Sequence, residues 1–397
     1  MVESQPRPRS PRLLVLGGGP AQLGLLEAAH ARGLWLAVVD RDPGAPGFRF
    51  ADRRCLLSTE DEPAIERVAA ALGVDGLIAP GTDWPVAIAA RIAERLGLPH
   101  PITPATGILA TNKLRQRERL AAAGVPQPRH WVVGGEDTGD AVEFPCVVKA
   151  PDQQGQKGLS LVRDPGELAA ALAAARAVAR SGVVLVEELV DGPEVTAVGL
   201  STGGRVVPLV VTDRIVASPP AFGVALAHVW PSRSDLAAVS AVAAAAATAL
   251  GITNGPSYTQ LRLSPSGPRV IEVAARLGGG HDAELVEAAV GIALNDLAID
   301  AALGLPVEVP EPVAQVGGAV TQFLLPPAGV LESVDVPEEL VGVARVRLYR
   351  EAGHRFGELR RGADRAGSVL ALGASREQAV ARAAAAAERI RFHTVDD

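Results

Sequence analysis

Aromatic residues make up only 3% of the 397-residue chain, methionine occurs once and cysteine twice, and lysine is almost missing. Each shortage excludes something. Cys55 and Cys146 lie far apart and outside any Cys-x-x-Cys or Cys/His spacing, which argues against a disulfide scaffold and against a structural zinc site. No apolar run approaches the roughly 18 residues that suggest a membrane span. The net charge of -7 is the opposite of the clustered basic surface of a general nucleic-acid binder. The opening MVESQPRPRSP has no apolar h-region, so residues 1–11 read as a disordered leader rather than a signal peptide. Together these absences predict a cytoplasmic protein with neither nucleic acid nor membrane as a partner.

The lysine shortage is the most informative. Of 38 basic residues only Lys113, Lys149 and Lys157 are lysine, which leaves 35 arginines (38 minus 3). A GC-rich genome explains why lysine is scarce but not where it survives.

What is present is an ordinary globular composition: 48% hydrophobic, with 42 glycines and 31 prolines dispersed along the chain. At roughly 150 residues per domain the length predicts two or three domains. Residues 13–101 alternate short apolar runs (LLVL, LWLAVVD, GLIAP) with amphipathic stretches, the pattern of a doubly wound parallel sheet. PHPITP breaks regular structure, a helix follows over 113–123, and a boundary falls near residue 110. The order then changes to an α+β pattern, with strands at 145–149, 160–162, 183–187, 195–200, 206–212, 258–263 and 269–273 and helices over 165–180 and 235–250. The last ninety or so residues contain several β-like runs and a helix over 375–390, and read as a small closing domain without a chemical motif.

Four elements carry candidate chemistry, each with a plainer alternative. LGGGPAQLG, between a strand and a helix with Asp40 beyond, half fits a dinucleotide turn: Gly17 and Gly19 match, but Gln22 stands at the third glycine. In FPCVVKAPDQQGQKGLSLV, Lys149 ends a buried strand and the loop carries Gln156, Lys157 and Gly158. Mobile backbone N–H groups with an ammonium at the tip suit a triphosphate, although no Walker loop is present; the alternative is a solvated hairpin. VLVEELVDGPEV places Glu187, Glu188 and Glu194 around a Gly-Pro turn, where backbone groups can read adenine and a carboxylate can accept from ribose; the alternative is an ordinary turn. In VIEVAARLGGGHD, Glu272 sits inside an apolar strand, where an unpaired carboxylate is costly. It needs a cation, either magnesium, with Gln260 on the neighbouring strand as a neutral partner, or Arg276.

In this order these residues resemble the ATP-grasp superfamily, most closely its carboxylate–amine ligase branch. The N-terminal domain is also similar to that of the purine-pathway ATP-dependent carboxylases. The resemblance covers about residues 12–305 and implies a mixed α/β and α+β fold. A Rossmann-like domain (12–110) precedes a two-lobed ATP-grasp domain (111–305, lobes about 111–187 and 188–305), and a small C-terminal domain (306–397) is compatible with the family. Lys113 resembles the first phosphate-binding lysine and Lys149 the second. The 152–158 loop is similar to the one that closes over ATP, Glu187 to Val190 to the adenine hinge, and Glu194 to the ribose acid. Glu272 matches a magnesium ligand and Arg276 the arginine that steadies the acyl phosphate. Gln260 replaces an acidic metal ligand and Ala274 a ligating Asn found in many members, so the usual two-magnesium arrangement is not expected to carry over unchanged.

The resemblance implies a ligase that uses ATP and Mg²⁺, with Mn²⁺ as an alternative, to phosphorylate a small carboxylate and join it to an amine, in a monomer or a homodimer. Arg276 and Lys149 are the expected catalytic residues. Gly278, Gly279, Gly280 and His281 are expected on the acyl-phosphate side, and His228 on the substrate side or in a structural role. The alternatives are carboxylation of an amine through carboxyphosphate, an NAD-dependent oxidoreductase using Gly17, Gly19 and Asp40, and an ATP-binding sensor without turnover.

Overall fold

In the computed structural model the described residues are 9–135 and 141–396; the first eight positions of the expected leader lie outside them. The N-terminal region runs β1 (Arg12–Leu16), α1 (Leu23–Ala31), β2 (Trp35–Asp40), β3 (Arg53–Leu56), α2 (Glu62–Leu72), β4 (Gly76–Ile78), α3 (Trp84–Leu96) and α4 (Pro104–Ala110). Its strands form a parallel sheet in the order β3-β2-β1-β4. The apolar run RLLVL belongs in the middle of that sheet, because strands covered by helices on both faces have no solvent side; Leu13 to Leu16 are fully buried. PHPITP interrupts regular structure as expected, with no helix or strand over 99–103, and α4 starts at its last proline. Thr103 accepts from the Thr106 N–H at 3.2 Å, and Pro104 occupies the first helical turn, where its missing N–H costs nothing, so α4 starts inside the proline cluster.

The next region holds α5 (Lys113–Ala122), β5 (His130–Val133), β6 (Cys146–Lys149), β7 (Ser160–Val162), α6 (Pro165–Val178) and β8 (Val184–Glu188). Its sheet has the order β5-β8-β6-β7 and packs on α6.

Then come β9 (Glu194–Thr202), β10 (Arg205–Val216), β11 (Ala225–Trp230), α7 (Leu236–Ala249), β12 (Gly255–Ser264), β13 (Gly267–Ala274), α8 (Asp282–Val290) and α9 (Leu294–Ala302). The C-terminal region adds β14 (Gly318–Leu324), β15 (Gly329–Asp335), β16 (Val343–Leu348), β17 (Arg355–Phe356), β18 (Gly367–Gly373), α10 (Arg376–Arg389) and β19 (Arg391–Val395). One antiparallel sheet, β13-β12-β9-β10-β11-β14-β18-β16, runs through both regions. Three C-terminal strands therefore extend the sheet that carries Glu194, Gln260 and Glu272 rather than standing apart from it, while β17-β15-β19 form a sheet of their own.

Two registers matter for the site. The β12–β13 hairpin sets Gln260 opposite Glu272. Across the middle of the sheet Glu194, Arg214, His228 and Thr321 are successive cross-strand neighbours, which puts them on one face.

Candidate active site

Lys113, Lys149, Glu187 and Glu272 converge. Lys113 opens α5, where Asn112 caps the helix through the Arg115 N–H at 3.1 Å. Its Nζ donates to the Gln153 carbonyl at 2.8 Å and lies 2.8 Å from Glu272 Oε1. Burial opposes the charge on Lys113, but the carboxylates of Glu272 and Asp83 outweigh it and hold the ammonium above its ordinary pKa. The same ammonium lowers the Glu272 carboxyl against burial. Glu272 therefore pairs with Lys113, while Arg276 turns elsewhere.

Glu187 was expected to face adenine, but its carboxylate turns inward and is 1% exposed. One oxygen takes Lys149 Nζ and the other takes Arg117 Nε at 2.7 Å. Burial disfavours the charge, yet Arg117 and Lys149 bring the Glu187 pKa down to about 2. Burial, helped by Arg117 and Lys113, pushes Lys149 below the ordinary lysine value against the pull of Glu187.

Arg117 escaped the sequence reading. It is fully buried and donates to Glu187, to Gln127 Oε1 at 3.1 Å, to the Val270 carbonyl at 2.7 Å and to the Ile271 carbonyl. It thus ties α5, the end of β8 and the strand just before Glu272 into one unit. The available signal was its position one helical turn beyond Lys113, on the same helix face.

Glu188 pairs with Arg129 at 2.6 Å, and the Val190 carbonyl accepts from Arg262 at 2.9 Å. Glu194 is held by Arg214 and lies 3.8 Å from Arg262. The 152–158 loop folds back over the site. The Gln156 side chain bridges the Gly223 carbonyl (3.4 Å) and the Gly362 N–H (3.2 Å), and Gln154 Oε1 accepts from the Asp83 N–H. Gly158 must be glycine: at φ +66° a Cβ there would lie 2.6 Å from Val178 Cγ2. Lys157 is exposed at the loop tip.

On the other side of Glu272, Arg276 donates from Nε to Asp83 Oδ1 at 2.6 Å and from Nη1 to the Leu277 carbonyl at 2.8 Å. Burial opposes its charge, but Asp83 outweighs it and raises the pKa further. The glycine run beyond has a steric origin. A Cβ on Gly278 would fall 2.0 Å from Asp282 Oδ2, one on Gly279 2.9 Å from the Gly81 carbonyl oxygen, and one on Gly280 2.8 Å from His228 Nε2. His281 follows at φ +61°, strained for a side-chain-bearing residue. Its ring contacts Tyr349 Oη at 2.7 Å and Glu284 Oε1 at 3.3 Å. Glu284 also takes Arg347 at 3.0 Å, and the His281 hydrogen bond and Arg347 bring its carboxyl to about 2 despite burial. Arg347 and Tyr349 come from the C-terminal stretch in which the sequence showed no chemistry.

His228 lies in this second cluster, buried, with Nδ1 3.6 Å from Asp282 Oδ1. Desolvation brings its pKa down to about 4, against Asp282, so the ring is neutral near pH 7. His228 Nδ1, Asp282 Oδ1 and Thr321 Oγ1 are buried without a hydrogen-bond partner.

The dinucleotide alternative fails on geometry. The Gln22 side chain lies across the glycine turn, 2.9 Å from where a Gly17 Cβ would be, and donates to the Pro80 carbonyl at 2.6 Å. Asp40, the expected ribose acid, accepts from the Gly18 N–H at 2.8 Å and the Asp42 N–H at 2.9 Å. The turn is structural and braces the 79–83 loop against Gly279.

The described residues contain no group of three His, Cys, Asp or Glu able to cage a metal, and no helix long and apolar enough to cross a membrane. One carboxylate with an amide oxygen opposite it, beside two lysines, suits a magnesium ion that takes its remaining ligands from phosphate and water.

Residues 142–284 match the ATP-grasp domain family, and residues 322–395 match L-amino acid ligase C-terminal domain 2. Carnosine synthase 1 of Gallus gallus is 30% identical over 389 residues, 87% of this chain and 41% of that protein. A formate-dependent phosphoribosylglycinamide formyltransferase of Solidesulfovibrio magneticus is 29% identical, with 96% of each chain covered. The crystal structure of the L-amino acid ligase from Bacillus licheniformis superposes with a TM-score of 0.81 at 23% identity, over 98% of this chain and 100% of that one. The chain spans less than two thirds of the length of the first two curated relatives it matches.

Proposed function

This chain carries an ATP-grasp domain and an L-amino acid ligase C-terminal domain, and from that premise we propose that it is an ADP-forming ligase that activates a small carboxylate as an acyl phosphate and joins it to an amine. The convergence of Lys113, Lys149 and Glu272, with Arg276 just beyond, carries this reading. A carboxylate oxygen attacks the γ-phosphorus of ATP, the bond to the β,γ-bridging oxygen breaks, and ADP leaves. The amine nitrogen then attacks the acyl carbon, the carbon–oxygen bond to phosphate breaks, and the nitrogen loses a proton as phosphate departs.

Such chemistry requires positioning and charge neutralisation rather than a protein nucleophile. Lys113 and Lys149 hold phosphate oxygens, with Gln156, Lys157 and Gly158 closing over them. Glu188 and Val190 line the adenine edge and Glu194 meets the ribose. Glu272 and Gln260 would hold Mg²⁺, or Mn²⁺ in its place, which supplies charge neutralisation at the transferred phosphoryl group. Arg276 meets the acyl phosphate. The buried cluster of His281, Glu284, Arg347, His228 and Asp282 presents both signs of charge to the substrates. The match of residues 322–395 to L-amino acid ligase C-terminal domain 2 favours an amino acid as at least one substrate, in a cytoplasmic protein for which a homodimer is one arrangement.

The test is ADP release across a panel of amino acids and small acids with added amines, with mass spectrometry of the product. A condensed product formed without bicarbonate supports the ligase, whereas strict dependence on bicarbonate moves the protein to amine carboxylation. Full activity after Lys149→Ala or Glu272→Ala rejects the assignment. Bound nucleotide without turnover on any substrate pair would leave a nucleotide sensor.

A further inference from the structure

Asp83 stands at the N-cap of α3, a position where an aspartate normally accepts from the first helical N–H groups and contributes about 1 kcal/mol. It makes no such bond. The residue is 8% exposed, and its carboxylate is given instead to Arg276, 193 residues away, through Nε at 2.6 Å and through Nη2. The backbone N–H of the same residue donates to the Gln154 side chain in the 152–158 loop. One N-terminal residue therefore touches both the loop that closes over the nucleotide and the arginine on the acyl-phosphate side.

The surroundings fix that residue in place. Gln22 donates to the Pro80 carbonyl, the Gly81 N–H donates to the Leu277 carbonyl at 3.3 Å, a Cβ on Gly279 would lie 2.9 Å from the Gly81 carbonyl oxygen, and one on Gly81 would lie 2.8 Å from Ala21 Cβ. The 79–83 loop also follows β4, at the carboxyl end of a parallel sheet, where open α/β sheets place functional groups. A guanidinium has five N–H groups. Asp83 takes the Nε edge and Leu277 one Nη1 hydrogen, which leaves the outer hydrogens of Nη1 and Nη2 for phosphate oxygens.

We propose that Asp83 is a positioning residue that orients Arg276 for the transferred phosphoryl group and links that orientation to closure of the 152–158 loop through Gln154. The assignment rests on the ligase reading, in which Arg276 meets the acyl phosphate. A residue that positions a transition-state donor affects binding of the transition state more than binding of the ground state. ADP–Mg²⁺ and ADP–Mg²⁺ with aluminium fluoride, a mimic of the phosphoryl group in transfer, separate the two without knowledge of the natural substrates.

Calorimetric titration of the full chain should show aluminium fluoride tightening ADP–Mg²⁺ binding in the wild type. Asp83→Asn, nearly isosteric, should weaken the aluminium fluoride complex at least about tenfold more than it weakens ADP–Mg²⁺, whose own loss reflects the charge that Asp83 contributes beside Lys113. Gln154→Ala approaches the same link from the loop side, should lose a smaller part of the tightening, and serves if Asp83→Asn folds poorly. Tightening that survives in both variants, or an equal loss for both complexes, overturns the assignment and leaves Asp83 a domain contact. A wild-type protein that binds ADP–Mg²⁺ but gains nothing from aluminium fluoride overturns the ligase reading as well.

Discussion

The proposed nucleotide half and the proposed substrate half of the site are both buried and charged, but they differ in how their charges are matched. Around the nucleotide side the buried charges are paired, Lys113 with Glu272, Lys149 and Arg117 with Glu187, Arg214 with Glu194, Arg276 with Asp83, and of these side chains only Arg214 keeps a buried atom, Nε, without a hydrogen-bond partner. Around the substrate residues His228 Nδ1, Asp282 Oδ1, Thr321 Oγ1 and Arg347 Nε are buried without a hydrogen-bond partner. A buried polar atom without a partner costs about 1–3 kcal/mol. On the proposed reading, the first half exchanges these protein partners for phosphate and metal. The second keeps unmatched atoms of both hydrogen-bonding types, as a pocket for a polar molecule does.

The largest effect that could break this contrast concerns Arg117. Its loss leaves Glu187 with a single cation and two backbone carbonyls without a donor, and breaking a buried pair costs about 3–5 kcal/mol. Arg117→Met should lower stability by that order in urea unfolding, and ADP–Mg²⁺ binding should fall with it. A loss below about 1 kcal/mol would mean that the nucleotide half is not the interlocked unit described.

Next come the buried lysines. A planar, forked guanidinium does not reproduce a compact ammonium beside a polyphosphate, and Lys149 is only 6% exposed. Lys113→Arg and Lys149→Arg should each lower kcat/KM for ATP by about 10- to 100-fold, equivalent to about 1.5–3 kcal/mol for a hydrogen bond to a charged group. Near-wild-type kinetics in either variant would place the phosphates elsewhere.

The substrate half yields a subtler test. His228 has a folded pKa of about 4 against an ordinary 6.5. Between those values the unfolded chain binds a proton that the folded one refuses, so the His228 contribution to stability is complete above pH 6.5 and declines as pH falls towards 4. The non-titrating variant His228→Asn should flatten stability against pH in that window in denaturant titrations. Glu187 and Glu284, each near 2 when folded, act lower, with contributions lost between about pH 4.5 and 2. An unchanged slope above pH 4.5 in His228→Asn would show the ring to be solvated rather than buried neutral.

The same contrast governs how much could be read from sequence. The parallel sheet was legible because LLVL, LWLAVVD and GLIAP are continuous apolar runs with no polar face, and Lys113, Lys149 and Glu272 stood out against an arginine-rich chain or inside an apolar strand. Arg117 was hidden among KLRQRERL, where it looks like any solvated helix residue. Asp83 drew no notice in GTDWP, just before a helix where an aspartate is ordinarily a cap, and only the fold shows that its side chain caps nothing. The proposed substrate half was less legible still, because Tyr349 reaches His281 and Arg347 reaches Glu284 from more than sixty residues away. Likewise Gly278, Gly279 and Gly280 suggested phosphate-binding amides, whereas the room they leave is taken by Asp282, the Gly81 carbonyl and His228.

The smallest expected effect is at Lys157, and it separates burial from charge as the reason lysine survives at three positions. All three lie on elements proposed to hold the nucleotide, but Lys113 and Lys149 are enclosed while Lys157 is exposed at the tip of a loop. An exposed tip can shift to accommodate a longer, forked side chain, and an exposed charge interaction contributes only about 0–1 kcal/mol. Lys157→Arg should therefore change kcat/KM for ATP by less than about threefold, with Lys157→Ala the more damaging of the two. If Lys157→Arg proves as harmful as Lys149→Arg, the loop must clamp its ammonium in one fixed geometry during turnover. The distinction between an enclosed, matched interior and an adaptable rim would then fail at the rim.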